Sequence, residues 1–364
     1  MKTVIDYFSN IKDPRIERKK EYSLDSIFFI TISAVICGAE SWNDMERYGN
    51  SKIDFLKKYI DLPNGVPSHD TFNRVFSLLD PKCLEHCFIE WVNSIAKITD
   101  GEVISIDGKT ICGSRDKKTN SFVHMVSAWA NTNNLVLGQV KVSEKSNEIT
   151  AIPKLIDVLD IKGSLITIDA MGCQTEIAEK IIKNQADYIL AVKGNQGSLL
   201  EAVIDTDRFA EAHDVYIDDD FAHGRIETRK CIIYNDLSHI ENVNKWSNLK
   251  HIVKIESSRI IKSTNKKETE NRYYITSSDK NAKQLCNAIR SHWGVENSLH
   301  WTLDVAFNED NSQKRDKNAV ENFSVINRIA LNLLKNEQSL KRSMKGKRLD
   351  AGWNDNYLIK VLKI

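Results

Sequence analysis

The order of hydrophobic patterns between Gly101 and Gly194 limits how this chain can fold more than any other feature. GEVISIDGKT, SFVHMVSAWA and NLVLGQVKVS are rich in β-forming residues and separated by polar turns, which predicts three consecutive strands. ITAIPKLIDVLD then repeats its apolar residues at helical spacing, KGSLITIDAMG is again strand-like, TEIAEKIIKNQ is helical, and ADYILAVKG predicts a fifth strand. A β-β-β-α-β-α-β order argues for a mixed sheet with helices packed on it, an α/β (mixed α+β) fold.

The flanks differ from this core. Residues 1–98 read as helical: a helix from the capping candidate Ser23 to Gly38, a second from Trp42 to Ile60, and a third in PSHDTFNRVFSLLD. That third helix presents Asn73 and Arg74, and reads equally as a bundle member or as an element entering a DNA groove. Residues 208–277 hold VYIDDDF, RIETRKCIIYND, KHIVKIESS and RYYITSS, which predict a β-rich insertion. SSDKNAKQLCNAIRSHWGVENSLHW follows as a long amphipathic helix, with Ser277, Ser278 and Asp279 as candidate caps. The expected organisation is therefore 1–98 helical, 99–207 first part of the core, 208–277 insertion, 278–335 second part of the core, and 336–364 a basic tail.

Composition excludes several classes. With 41% hydrophobic and 28% charged residues in 364, the chain can bury a substantial core and is not disordered. Its most apolar run, Ile27 to Cys37, is too short to span a bilayer. No N-terminal signal is visible, and seven scattered cysteines do not form a disulfide framework, so a cytoplasmic setting is expected. Cys83-x-x-His86-Cys87 lacks a second half at metal-finger spacing. The net charge of +1 hides segregation: KRSMKGKR is basic at Lys341, Arg342, Lys345, Lys347 and Arg348, a patch suited to a polyanion.

Two acids stand in unusual places. Asp107 in VISIDGKT and Asp169 in SLITIDAMG share one form: apolar or β-branched residues, an aspartate, then a small-residue turn. Both strands are expected to be neighbours, and sites in sheet folds gather at strand ends. Glu296 lies on the late helix, in HWGVENSLHWTLDVAF, in one row with His292 and His300. Singly, Asp107 could end a strand, Asp169 could cap a helix, and Glu296 could be solvated. Together, three carboxylates repel unless a cation is present. Hard ions such as Mg²⁺ take oxygen ligands, and a pair of them can serve phosphoryl transfer. The row of His292, Glu296 and His300 alternatively suggests zinc, and the carboxylates alone would also suit a glycosidase pair.

ISIDGKT, TIDAMGCQ, AVKGNQ and RSHWGVENSLHWTLDVAFNED closely resemble the H-repeat-associated, insertion-sequence-type transposases of the DDE superfamily. The likeness runs in order from Asp13-Pro14-Arg15 to the closing KRSMKGKRLDAGW. It implies a ribonuclease-H-like core and an acidic triad of Asp107, Asp169 and Glu296. It also implies two Mg²⁺ ions, with Mn²⁺ as a substitute, Asp107 bridging the two, and the other acids each completing one side. The implied partner is double-stranded DNA, both element ends and target. The reaction would be strand cleavage followed by 3′-hydroxyl attack, by a homodimer on DNA in the bacterial nucleoid.

The chain departs from the family pattern near Glu296. Ile289, His292 and Leu303 stand where relatives often carry Tyr, Arg and Lys. His292 is then a candidate phosphate contact, with Arg290 or Lys193 as substitutes. Asp304, Glu309 and Asp310 compete for the third acid. Lys109, Lys193, Asn195, Gln196, Arg225 and the basic patch of Lys341, Arg342, Lys345, Lys347 and Arg348 are further candidate DNA contacts. His124 is expected near Asp107 as a satisfied core histidine, and Trp293 and Trp301 are expected to be packing residues. An inactive, transposase-derived DNA-binding protein is the alternative reading.

Overall fold

The computed structural model describes residues 2–115, 121–143, 146–222, 225–261 and 266–364. Its strands are β1 (Val103–Ile111), β2 (Val123–Ala130), β3 (Leu135–Lys141), β4 (Leu165–Ile168), β5 (Asp187–Val192), β6 (Asp214–Ala222), β7 (Arg225–Tyr234), β8 (His251–Ile261) and β9 (Lys266–Thr276). Among the described residues they form one sheet in the order β3-β2-β1-β4-β5-β9-β8-β7-β6.

Connection length explains this order. A short polar turn joins β2 to β3, so they pair antiparallel, as β1 and β2 also do. The helices Glu148–Val158 and Thr175–Lys183 are long enough to carry the chain back, so β1, β4 and β5 pair parallel. Every residue of β4 is buried, as a central strand covered on both faces requires. The β3-β2-β1-β4-β5 unit is the ribonuclease-H-like core that the sequence led us to expect. The four strands of the 208–277 region extend the same sheet, with Ile189 of β5 opposite Thr276 of β9.

The helix carrying Glu296 starts at Asn281, whose side chain accepts from the Gln284 backbone N–H, rather than at the serines before it. Ser277 instead donates to Asp187 at 2.7 Å. The rod runs as Ala282–Gly294, a π-helical turn over Val295–His300, and Trp301–Phe307.

The N-terminal region is helical. Leu24–Ile36 is capped by Ser23 and almost wholly buried, and His69–Leu78 is capped by Ser68. The stretch expected as one helix from Trp42 to Ile60 divides into Trp42–Ser51 and Ile53–Leu56 at Lys52. The region expected as a basic tail is two helices, Met344–Trp353 and Asp355–Leu362, both packed on Leu24–Ile36. Among the described residues, no helix is long and apolar enough to cross a membrane.

Candidate active site

Side chains alternate faces along a strand, so Ser105 and Asp107 of β1 point the same way. In the parallel ladder Ser105 lies opposite Thr167 and Ile106 opposite Ile168. One step further, the chain places Asp107 beside Asp169, on the face that carries Ser105 and Thr167. Asp169 caps the turn after β4, accepting from the Met171 backbone N–H at 3.0 Å. Asn195 and Gln196 brace that turn: Asn195 donates to the Ala170 carbonyl at 2.6 Å and Gln196 to the Cys173 carbonyl at 2.8 Å.

The Glu296 helix lies across this face. Asn131 donates to Ser105 Oγ at 2.8 Å, and Thr167 Oγ1 donates to Ser105 at 3.0 Å. Nδ1 of His292 lies 2.9 Å from Thr167 Oγ1. Because the Thr167 proton points to Ser105, the histidine must be the donor. Gly294 permits the close approach, since a Cβ there would come within 2.6 Å of Asn131 Oδ1. Leu299 and Leu303 are fully buried. Trp293 and Trp301, expected to be packing residues, are 45% and 61% exposed. The π turn, a form often found at functional sites, contains both Glu296, which is exposed, and His300, whose Nδ1 lies 3.6 Å from Asp107 Oδ2. Asp107, Asp169, Glu296, His292, Lys193 and Arg272 line one cleft of about 270 Å³.

The charge in this cleft is unbalanced. Burial pushes the Asp107 carboxyl up to about 7, against the pull of the Gly108 N–H, and the charges of Asp169, Glu148 and Glu296 add to the rise. Burial and the Glu148 charge raise Asp169 as well, with Lys193 opposing. Burial holds His292 down to about 4 and His300 down to about 3, so both rings are neutral at pH 7. As the side chains stand, no three His, Cys, Asp or Glu groups among the described residues are close enough to share one metal ion. That overturns the zinc reading of the helix row, because His292 is already committed to Thr167. The carboxylates nonetheless have the chemistry a hard cation needs: oxygen donors with surplus negative charge.

Sequence reasoning missed Glu148, at the start of the helix after β3, because a helix-terminal glutamate looks ordinary. It also missed Arg272, which carries an ion pair to Glu270 and lies 4.8 Å from the Trp293 ring centre. His124 is held between Thr110 Oγ1 at 2.8 Å and Glu148 Oε1 at 2.7 Å.

Several expected DNA contacts are structural. Lys109 is buried between Asp304 at 2.7 Å and Asp310 at 3.0 Å, which also removes those two acids from competition with Glu296. Glu309 is buried against Arg328 at 2.8 Å. Lys347 donates to the carbonyls of Leu334 and Glu337, and Arg348 to those of Val35 and Ala306, so both close helix ends. His292, neutral and bonded to Thr167, cannot act as a cationic phosphate contact. Arg290 is ion-paired to Asp218 at 3.1 Å and Asp220 at 2.9 Å. Lys193, Lys341, Arg342 and Lys345 remain exposed. Only the backbone of Arg225 is described, so its side chain lies outside the described structure.

The sheet thus carries one aspartate on β1 and one just after β4, its parallel neighbour, with a glutamate on the helix that covers them. The chain belongs to the Transposase DDE domain family, which matches residues 98–333, while the DDE_Tnp_1-associated family matches residues 5–92. It is 46% identical to "Putative transposase YncI" of Escherichia coli O157:H7, over 100% of this chain and 95% of that protein. It is 45% identical to "H repeat-associated putative transposase YhhI" of Escherichia coli strain K12, over 100% and 98%. A shorter K12 relative, "Inactive transposase YbfQ", is 44% identical over 21% of this chain and 92% of its own length. A solved piggyBac transposase synaptic complex with hairpin DNA aligns at a TM-score of 0.46 and 11% identity, covering 99% of this chain and 77% of that one.

Proposed function

We propose that the protein is the transposase of an insertion-sequence-type element, cutting DNA at the element ends and joining the freed 3′ ends to target DNA. One observation carries this reading: Asp107, Asp169 and Glu296, far apart in sequence, line one cleft in which carboxylates outnumber the cations Lys193 and Arg272. In this reading Asp107, Asp169 and Glu296 hold two Mg²⁺ ions, for which Mn²⁺ can substitute. When bound, the ions supply charge neutralisation at the attacking and leaving oxygens. His300 stays neutral and leaves the Asp107 carboxylate free for them. His292 fixes the Glu296 helix to β4, and Lys193 and Arg272 face the DNA backbone. Two protomers would hold two ends.

The test is incubation of the full chain with duplex DNA carrying its terminal inverted repeats. Mg²⁺ should produce cuts at the repeat ends, and EDTA should abolish them. The second reading, an inactive DNA-binding relic, is favoured by one feature: a neutral histidine, His292, stands where relatives often carry arginine. It predicts end binding without cutting in either metal.

A further inference from the structure

The helix after β3 begins with Glu148, a residue that no part of the triad reading uses. Its Oε1 lies 2.7 Å from His124 Nε2, and the other nitrogen of that ring lies 2.8 Å from Thr110 Oγ1. The imidazole is therefore fixed at both ends, and so is the carboxylate it holds. Thr110 and His124 face each other across β1 and β2, so the brace is built on the sheet itself.

This brace lies directly over the backbone next to Asp107. A Cβ on Gly108 would come within 2.1 Å of Glu148 Oε1 and 2.6 Å of His124 Nε2. Only a glycine leaves room for the carboxylate there. The Glu148 side chain is 21% exposed, and among the described residues its second oxygen accepts no hydrogen bond. The negative charge of Glu148 acts on both Asp107 and Asp169. Glu148 lines a cleft of about 390 Å³ with His124, Phe122 and Met171, separate from the cleft lined by the triad.

We infer that Glu148 is a fourth carboxylate of the cation-binding centre, oriented by His124 and given its place by Gly108. The inference rests on the triad reading and extends it. A triad places its acids on β1, after β4 and on the covering helix. Glu148 would add a ligand from the other side of the β1 backbone, over Gly108. The Glu148 charge adds to the repulsion that Asp107 and Asp169 already feel. A divalent ion relieves it, so each added carboxylate should tighten ion binding.

The experiment measures Mn²⁺ binding to the full chain by electron paramagnetic resonance of the free ion, alongside Mn²⁺-dependent cutting of end DNA. Glu148→Gln keeps the shape and the acceptor for His124 but removes the charge. It should weaken Mn²⁺ binding by about tenfold or more, and cutting should fall about 100-fold. Gly108→Ala, which crowds the carboxylate without removing it, should weaken Mn²⁺ binding in the same direction while its circular dichroism stays that of wild type. Wild-type Mn²⁺ affinity in a folded Glu148→Gln protein overturns the inference, whether or not cutting is lost. Asp107→Asn separates the two readings. If it abolishes Mn²⁺ binding and cutting while Glu148→Gln leaves both intact, only the fourth carboxylate fails. If Asp107→Asn leaves both intact, the triad fails with it.

Discussion

Two charged regions lie on either side of the Glu296 helix, and they are built on opposite terms. Behind it, Lys109 is shared by Asp304 and Asp310, and Arg328 is matched to Glu309, with the arginine and glutamate side chains 0% and 3% exposed. In front, Asp107, Asp169 and Glu296 line a cleft with Lys193 and Arg272, and burial drives the Asp107 carboxyl up to about 7. Matched buried charge fixes a geometry, because removing either partner strands the other. Unmatched charge costs stability and is retained only where something outside the chain supplies the missing cation. The rear cluster therefore reads as scaffold and the front cluster as site.

This contrast can be broken most sharply from behind. Arg328→Leu leaves Glu309 buried without its partner and should destabilise the fold by about 3–5 kcal/mol in urea unfolding. A loss under 1 kcal/mol would mean the rear pair is not scaffold. Lys109→Met should cost less, about 1–3 kcal/mol, because Asp304 and Asp310 are a third exposed and water can compensate.

The front region should respond in the opposite sense. Asp107 has a folded pKa of about 7 against an ordinary 3.8. The folded state thus holds the proton more tightly, and the carboxylate's destabilisation grows as pH rises from about 4 and is complete above about 7. Asp107→Asn should therefore be more stable than wild type by about 2 kcal/mol at pH 8, with the advantage gone at pH 4. His292 and His300 run the other way: burial keeps them neutral when folded, so they weaken the fold as pH drops below 6.5, and the mutant–wild-type difference removes the part of this that does not depend on Asp107. Equal stability of mutant and wild type across this range would remove the claim that the front charge is unmatched.

The smallest effects belong to the exposed cations. Lys345→Ala should change stability by no more than about 0.5 kcal/mol. If Lys345 meets a phosphate, the same change should reduce the slope of log K against log salt for DNA binding by about one. An unchanged slope would take the surface of the Met344–Trp353 helix out of the DNA interface.

The core was largely legible because its signals are local. Runs of β-forming residues between polar turns and helical patterns marked β1 to β5, and the shared Asp-then-turn form marked Asp107 and Asp169. The charged side chains were less legible, because burial is a tertiary property. KRSMKGKR reads as one basic patch, yet it forms part of a helix whose packed side takes in Lys347 and Arg348 and leaves Lys345 outside. Lys109 looked like a phosphate contact beside Asp107. It lies on the same strand face as Asp107, two residues on, but there Asp304 and Asp310 hold its ammonium, and neither is close in sequence. Glu148 was invisible for the same reason: nothing in NEIT announces that Gly108 opens a space for it. Asn195 and Gln196 looked like ligand contacts, and the hydrogen bonds that occupy them belong to the turn after β4.

The most direct test of the central claim is the rate at which folded Asp107→Asn protein cuts end-bearing DNA in Mg²⁺, measured beside wild type at equal DNA occupancy. The account predicts that wild type cuts at the repeat ends and that the variant, though the more stable protein above pH 7, does not cut detectably. Cutting by Asp107→Asn at the wild-type rate would contradict it.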